Sequence, residues 1–171
     1  DILCQGSDDH LYKIAIPSSI TSIGKSSFYN CKLLTQVVIP SSVTSIGRSA
    51  FSQCLALTQI DIPSSVTSIE EFCFYKCSNL SRIVIPSSVT SIGKHSFFEC
   101  TSLTQILIPL AVKSIENFTF SFCTSLKQVI LHSSLLEIKD SAFSECTSLN
   151  QISLPSSLIF IGNWSFAGCT S

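Results

Sequence analysis

The stretch that decides the fold is residues 80–102, LSRIVIPSSVTSIGKHSFFECTS, because the rest of the chain copies it every 23 residues. The residue types of Phe97, Ile92 and Cys100 each recur at intervals of 23 residues, and they form three columns without exception. The three columns are Phe28, Phe51, Phe74, Phe97, Phe120, Phe143 and Phe166; Ile23, Ile46, Ile69, Ile92, Ile115, Ile138 and Ile161; and Cys31, Cys54, Cys77, Cys100, Cys123, Cys146 and Cys169. A fixed period in this range is typical of stacked coils. The sequence therefore predicts a solenoid of about seven coils that share one core.

Each unit begins with a segment that reads as a short strand. Ile83 and Ile85 are apolar residues two positions apart, which is the spacing of side chains on one face of a strand. Pro86 ends the segment, since proline has no N–H to donate to a ladder. Because these strands recur in the same direction once per coil, we predict a parallel sheet along one side of the solenoid.

The remainder of each unit predicts two further features. Gly93 and its equivalents indicate a tight turn in which glycine takes a positive φ, a geometry that Glu70, Glu116 and Lys139 would have to accept or avoid. The arc at residues 49–57 places apolar residues at i, i+3 and i+6. That spacing predicts short helical or 3₁₀ turns on the outer side.

Composition and charge exclude several classes of function. A chain that is 45% hydrophobic and 12% charged is too apolar to remain disordered. The net charge is -1 and the basic residues are scattered, so we expect no nucleic acid partner. No apolar run approaches the roughly 18 to 20 residues of a membrane span, so we expect no membrane insertion by this stretch.

The nine cysteines allow two interpretations. Neighbouring strands lie about 4.8 Å apart, which is within disulfide reach, so cysteines of adjacent coils could be bridged. They also suit a core as free thiols that act as small apolar side chains, which is the interpretation we favour. Cys73 and Cys77 form the only close pair, without a third ligand nearby, so no metal site is expected. Cys4 falls outside the column and is the cysteine that we expect to be reactive.

The pattern also divides the chain. Residues 1–10, DILCQGSDDH, match no part of the repeat and are predicted to cap the first coil. Residues 11–171 form the predicted solenoid. Its last coil stops at Ser171, just short of the next leucine, and we treat it as truncated. We therefore expect either further coils or an end-to-end contact with a second copy.

The consensus LxxIxIPxxVTxIGxxAFxxCxx, carried by residues 34–54 and 80–100, resembles the BspA-type leucine-rich repeat. The resemblance extends over residues 11–171 and implies an α/β leucine-rich repeat solenoid whose parallel sheet lies on the concave face. The local departures are Leu110-Ala111 for Ser-Ser, His132 for Pro, and Leu136 and Phe160 in the turn; they leave the turn conformation open.

The resemblance also implies a function. Members of this family are typically cell-surface or secreted proteins, so a non-enzymatic adhesion module that binds host extracellular matrix or cell-surface proteins is expected. An intracellular scaffold or regulatory subunit in the cytoplasm is the alternative, for which a column of unpaired cysteines would be natural.

Two sets of side chains are candidate partner-binding residues. On the concave face, Val84, Leu107 and Ile130 point outward side by side, and Asp61 and Arg82 add charge. An exposed apolar patch often marks an interaction surface, although β-propensity alone explains these residues equally well. On the convex side, Phe72, Phe118 and Trp164 share one repeat position in alternate coils. Such aromatic residues either anchor an interface or fill gaps between coils.

The sequence offers little support for catalysis. His10, His95 and His132 lie in different coils, and no Ser/His/Asp or Cys/His set shares one face. We therefore expect no catalytic residues, no cofactor and no metal site.

Overall fold

The structure, a computed structural model, describes residues 13–171. The predicted cap at residues 1–10 and the predicted reactive thiol of Cys4 lie outside the described residues. Each coil contributes two short strands, one to each of two ladders. The first ladder contains β1 (Lys13–Ala15), β3 (Gln36–Val38), β5 (Gln59–Asp61), β7 (Arg82–Val84), β9 (Gln105–Leu107), β11 (Gln128–Ile130) and β13 (Gln151–Ile152). The second contains β2 (Ser22–Ile23), β4 (Ser45–Ile46), β6 (Ser68–Ile69), β8 (Ser91–Ile92), β10 (Ser114–Ile115), β12 (Glu137–Ile138) and β14 (Phe160–Ile161).

The strands of the first ladder pair in parallel, one repeat apart. Gln59 of β5 lies opposite Arg82 of β7, and Gln105 of β9 lies opposite Gln128 of β11. In β5, β7 and β9 the middle residue is buried and its two neighbours are exposed, as the period of two requires. The predicted leucine-rich repeat solenoid with a parallel sheet is therefore confirmed.

The phenylalanine column forms the centre of the core. The side chains from Phe51 to Phe143 are fully buried, and each stacks on the ring of the next coil with centroids 5.1–5.7 Å apart along the whole column. Such aromatic pairs contribute about 0.5–1.5 kcal/mol each beyond the burial of their surface. The coils are thus joined through their interior as well as along their ladders.

The cysteine column lies beside the rings. The thiol of Cys54 donates to the carbonyl oxygen of Phe28 at 3.1 Å, and the thiol of Cys77 donates to that of Phe51. The other free cysteines of the column repeat this contact, so each thiol ties its coil to the preceding one. The prediction of free thiols is correct for the six members from Cys54 to Cys169 but wrong for Cys31, which is disulfide-bonded.

The outer arcs contain no helix in residues 13–171, so the predicted helical or 3₁₀ turns are wrong. In the arc of coil 2 (residues 34–56), the N–H groups alternate between acceptors within the arc and acceptors in the next coil. Ser52 donates to Ser49 three residues earlier, whereas Phe51 donates to Cys73 in the next coil. Ser49 and Gln53 also have positive φ values of 56° and 62°. A helix needs negative φ throughout and local acceptors for every N–H, so the arc forms successive turns instead.

The glycine column also differs from its prediction. None of Gly24, Gly47, Gly93 and Gly162 has a positive φ. At Gly47, Gly93 and Gly162 the requirement is space, because a Cβ atom would lie 2.6–2.7 Å from a backbone nitrogen of the preceding coil. Glycine thus allows the close approach of two coils rather than an unusual backbone angle.

The second ladder is interrupted at two coils in which the glycine is replaced by a residue with a side chain. This ladder is broken between β4 and β6 and between β8 and β10. Glu70 follows β6 and Glu116 follows β10, whereas Gly47, Gly93 and Gly162 follow strands that pair with the preceding coil. Lys139 is an exception, since β12 still pairs with β10.

The first ladder has one interruption, between β7 and β9. These strands belong to coil 4 (residues 80–102) and coil 5 (residues 103–125), the same coils that are unpaired between β8 and β10. No other neighbouring coils among the described residues lack pairing in both ladders. Coils 4 and 5 remain joined at the arc, where Phe97 donates to the carbonyl of Thr119 and stacks on Phe120.

Candidate functional site

The outward side of the first ladder, which we call the strand face, carries a groove between β7 and β9. Its volume is about 410 Å³. Arg82, Val84, Leu107 and Ile130, which are four of the five residues predicted to bind a partner on this face, line it. The interruption of the first ladder therefore lies where the sequence predicts a binding surface.

The groove extends to the apolar core. Ile83 belongs to the groove wall and is 8% exposed, whereas the equivalent Ile60 of coil 3 is 1% exposed. Ile85 also lines the groove, with an exposure of 8% that is close to the 6% of its equivalent, Ile62. The backbone edges of β7 and β9 that face the groove form no ladder with each other. The groove consequently combines unpaired peptide groups with an apolar floor.

An apolar stripe crosses the strand face beside these peptide groups. Val84, Leu107 and Ile130 occupy the same strand position in three successive coils, and each is about half exposed. A second groove of about 630 Å³ lies between β11 and β13, and Ile130 also borders it. The predicted exposure of the three apolar side chains is confirmed.

The two charged candidates occupy opposite ends of the strands. Arg82 begins β7, whereas Asp61 ends β5, where it lies opposite Val84 in the paired register. Asp61 is exposed but does not line the groove. Ion pairs occur at Arg48 with Glu71 and at Lys76 with Glu99. In residues 13–171 Arg82 forms no ion pair.

The three candidate residues on the convex side lie in two different environments. Phe72 and Phe118 are half-buried and stack on the two sides of His95, with ring centroids 4.8 and 4.9 Å away. Arg48 extends this stack, with its guanidinium 5.1 Å from the Phe72 ring centroid. Trp164 lies two coils beyond Phe118 and is 76% exposed. Phe72 and Phe118 therefore fill the space between coils, and Trp164 alone projects from the surface.

In the sequence His95 is separated from the other histidines, although it shares the repeat position of Phe72 and Phe118. Its burial between their rings lowers the pKa of the imidazole below 6.5, with Lys94 contributing in the same direction and Glu71 opposing it. The shared column was the signal that could have identified the stack.

The unpaired edges of β7 and β9 were also missed. No residue type in these two strands marks the interruption, because Gln105 and Arg82 occupy the same column as glutamines in paired strands. Leu136 and Phe160, noted as departures from the consensus, are exposed in the structure together with Ile159. These three residues lie near the last coil, away from the groove.

The described residues contain no group of three or more His, Cys, Asp or Glu side chains suited to a metal ion. Among those same residues, no helix is long and apolar enough to cross a membrane.

The chain matches the family model of the BspA type leucine rich repeat region, in six copies over residues 6–112 and 96–171. No curated protein sequence matches the chain.

Solved structures provide further similarity. The leucine-rich repeat protein of T. pallidum is 33% identical, with a TM-score of 0.89 over 93% of this chain and 77% of that one. A leucine-rich cell surface protein of Faecalibacterium prausnitzii is 35% identical, with a TM-score of 0.86 over 92% of this chain. The present chain spans 45% of the length of that protein. The pneumococcal vaccine antigen PcpA, at 23% identity and a TM-score of 0.61, is similar in fold.

The family match spans nearly the whole sequence, and the two relatives above 30% identity share the strand arrangement described here. The chain belongs to the BspA-type leucine-rich repeat family.

Proposed function

We propose that this chain is a non-enzymatic protein-binding module that acts in adhesion at a cell surface and engages its partner through the strand face. The observation that carries the proposal is the exposed stripe of Val84, Leu107 and Ile130 beside the groove that Arg82 lines. Apolar area of this kind, with charges at its rim, is the composition of a protein interface. Asp61 contributes a charge of the opposite sign to that rim.

Two observations support a location outside the cell. A relative of 35% identity is described as a cell surface protein. Cys31 is disulfide-bonded, and disulfides persist mainly in oxidising compartments. The intracellular scaffold remains the second candidate, because the free thiols from Cys54 to Cys169 are compatible with a reducing compartment.

Peptide mapping of natively produced protein under non-reducing conditions tests the location. A surface protein should contain Cys31 as a cross-linked peptide, with Cys54, Cys100 and Cys146 alkylated only after denaturation. Fully reduced Cys31 in freshly isolated protein would instead favour the intracellular scaffold.

The strand face is tested with Leu107→Asp and a matched control, Leu110→Asp. The two leucines are 50% and 58% exposed, but Leu107 lies on β9 whereas Leu110 lies in the turn after Pro109. The immobilised chain is used to capture extracellular matrix and cell-surface proteins, each quantified by mass spectrometry. We expect Leu107→Asp to lose specific partners that Leu110→Asp retains. Equal recovery with both variants would exclude the strand face.

The convex candidates form a separate proposal. Trp164 is the exposed member, so Trp164→Ala tests an interface there, and Phe118→Ala tests the interior stack. Loss of a partner with Trp164→Ala but not with Leu107→Asp would move the binding site to the convex side.

End-to-end self-association is a further proposal about partners. Ile161 of β14 is 48% exposed, whereas Ile138 in the preceding coil is fully buried. Either a further coil or a second copy stacked on this coil would bury the same column of core residues. Sedimentation of the chain should then depend on concentration, and Ile161→Asp should leave it monomeric. Concentration-independent sedimentation would exclude the contact.

A further inference from the structure

Building on the proposed function, we infer that the groove between β7 and β9 binds an extended peptide segment of the partner protein. The segment that fits carries an aliphatic side chain and, close to it, a carboxylate.

The backbone provides the first argument. β5 and β7 form a ladder, as do β9 and β11, but β7 and β9 do not pair with each other. Residues of β7 and β9 still lie within 8 Å of each other between Cα atoms, which is too close for a further strand, since each strand spacing takes about 4.8 Å. An extended peptide would therefore lie over the groove and insert a side chain into it, as side chains of bound peptides enter pockets beside the strands of a sheet.

The shape and polarity of the groove provide the second argument. A volume of about 410 Å³ lies within the range of about 300–1,000 Å³ that is common for ligand pockets. Val84, Leu107 and Ile130 line it, together with the mostly buried Ile83 and Ile85. These surroundings suit an aliphatic side chain of the ligand, since Arg82 is the only charged residue among residues 13–171 that lines the groove.

Charge sets the direction of the ligand. Arg82 stands at the first residue of β7, is exposed and has no ion pair among residues 13–171. A guanidinium is suited to bidentate binding of a carboxylate. Asp61 lies at the other end of the strands, beside Val84, where it would repel a second carboxylate. The acidic residue of the ligand should therefore lie over the start of the strands and the aliphatic residue over their ends.

A phage-displayed library of random linear peptides, selected against the intact chain, tests this arrangement. We expect enrichment of sequences that combine a Leu, Ile or Val with a nearby Asp or Glu. A fluorescent copy of an enriched peptide should bind Leu107→Asp about tenfold more weakly or worse. Leu110→Asp, the control outside the groove, should bind it like the unaltered chain.

Charge reversal provides the specificity test. Selection against Arg82→Glu should enrich Lys or Arg in place of the acidic residue, whereas Lys13→Glu, at the same strand position in coil 1, should retain the acidic preference. Amide hydrogen exchange supplies a readout independent of substitution. The bound peptide should slow exchange at residues 82–85 and 105–108, and not in β3 or β5.

Three results would overturn the inference: no peptide enriched by the library, enriched peptides without an acidic residue, or protection located away from β7 and β9. If intact partner proteins still depend on Leu107 in any of these cases, the strand face remains the binding surface and only the peptide groove is wrong. If neither peptides nor intact proteins depend on Leu107, the proposed function fails as well.

Discussion

At the scale of single residues, the two most regular columns have different physical roles. Phe97 is fully buried and stacks on Phe74 and Phe120, so its ring contributes to two coil interfaces at once. Gly47 contributes by having no side chain, because a Cβ atom would lie 2.7 Å from the backbone nitrogen of Lys25.

Replacing Phe97 with alanine should lower the free energy of unfolding by about 3–5 kcal/mol, because it removes a buried ring and leaves a cavity. Phe122→Ala is the control, since Phe122 is exposed on the outer arc. The decrease in the free energy of unfolding caused by Phe122→Ala should be much smaller. Chemical denaturation followed by circular dichroism measures both. Equal costs would show that the ring stack contributes little to stability.

Gly47→Ala should destabilise the chain by about 1–3 kcal/mol through overpacking. Among residues 13–171, the nearest atom to an added Cβ at Gly24 is the Ser27 hydroxyl at 3.3 Å, so Gly24→Ala should be nearly neutral. Thermal unfolding of the two variants compares them directly. A neutral Gly47→Ala would mean that the coils can separate locally at no cost.

At the scale of elements, the positions of the strands can be predicted from the sequence, whereas the backbone conformation of the arcs cannot. Ile83 and Ile85 alternate with outward residues, and Pro86 marks the end of the segment, so the strand position is set by local chemistry. The arc is different, because residues such as Phe72 and Lys76 have positive φ values of 58° and 57°. Their side chains give no local sign of that geometry, which instead follows from hydrogen bonds to the next coil.

The strained arc positions make a prediction of their own. Ser49 has a φ of 56°, which disfavours a residue with a Cβ by about 1–2 kcal/mol. Ser49→Gly should therefore stabilise the chain by about 0.5–1 kcal/mol after the greater freedom of glycine in the unfolded state is subtracted. Ser41, which does not have a positive φ, is the control, and Ser41→Gly should destabilise. Urea denaturation that places both changes on the same side of zero would contradict this explanation.

At the scale of the whole molecule, the period predicted the number of coils and the shared core but not the interruption between coils 4 and 5. Whether two strands pair depends on the distance between the backbones of neighbouring coils, and no single residue decides it. Glu116 and Lys139 occupy the same repeat position, but β10 before Glu116 does not pair with the preceding coil, whereas β12 before Lys139 does. The candidate residues Arg82, Val84 and Leu107 were identified from outward-facing columns. The groove that joins them required the structure.

The buried thiols predict how stability depends on pH. Burial raises the pKa of Cys54 and Cys123 from 9.0 to about 12, and it also raises the pKa values of Cys77 and Cys100. In the unfolded chain these thiols ionise near their ordinary pKa, so the folded state binds more protons between pH 9 and about 12. Stability should be unaffected by these groups below pH 9 and should fall as the pH rises through that window.

Denaturant titrations at a series of alkaline pH values measure this decrease, and the ultraviolet absorbance of thiolates shows whether ionisation accompanies unfolding. Cys123→Ala is the matched variant, because it removes one of the titrating groups. Its unfolding free energy should fall less steeply with pH than that of the unaltered chain. An identical slope would assign the alkaline loss to groups other than the core thiols.

The constant offset of one repeat in every paired strand, from Lys13 with Gln36 to Glu137 with Phe160, has an evolutionary consequence. Duplication or loss of one whole unit changes the length of the array while each remaining coil keeps equivalent neighbours. An insertion one residue longer or shorter would disturb the register of the coil that receives it, because shifting a strand by one residue turns its core side chains toward solvent. Gene rearrangements in multiples of the unit can therefore lengthen or shorten the strand face while the core residues of each coil stay the same.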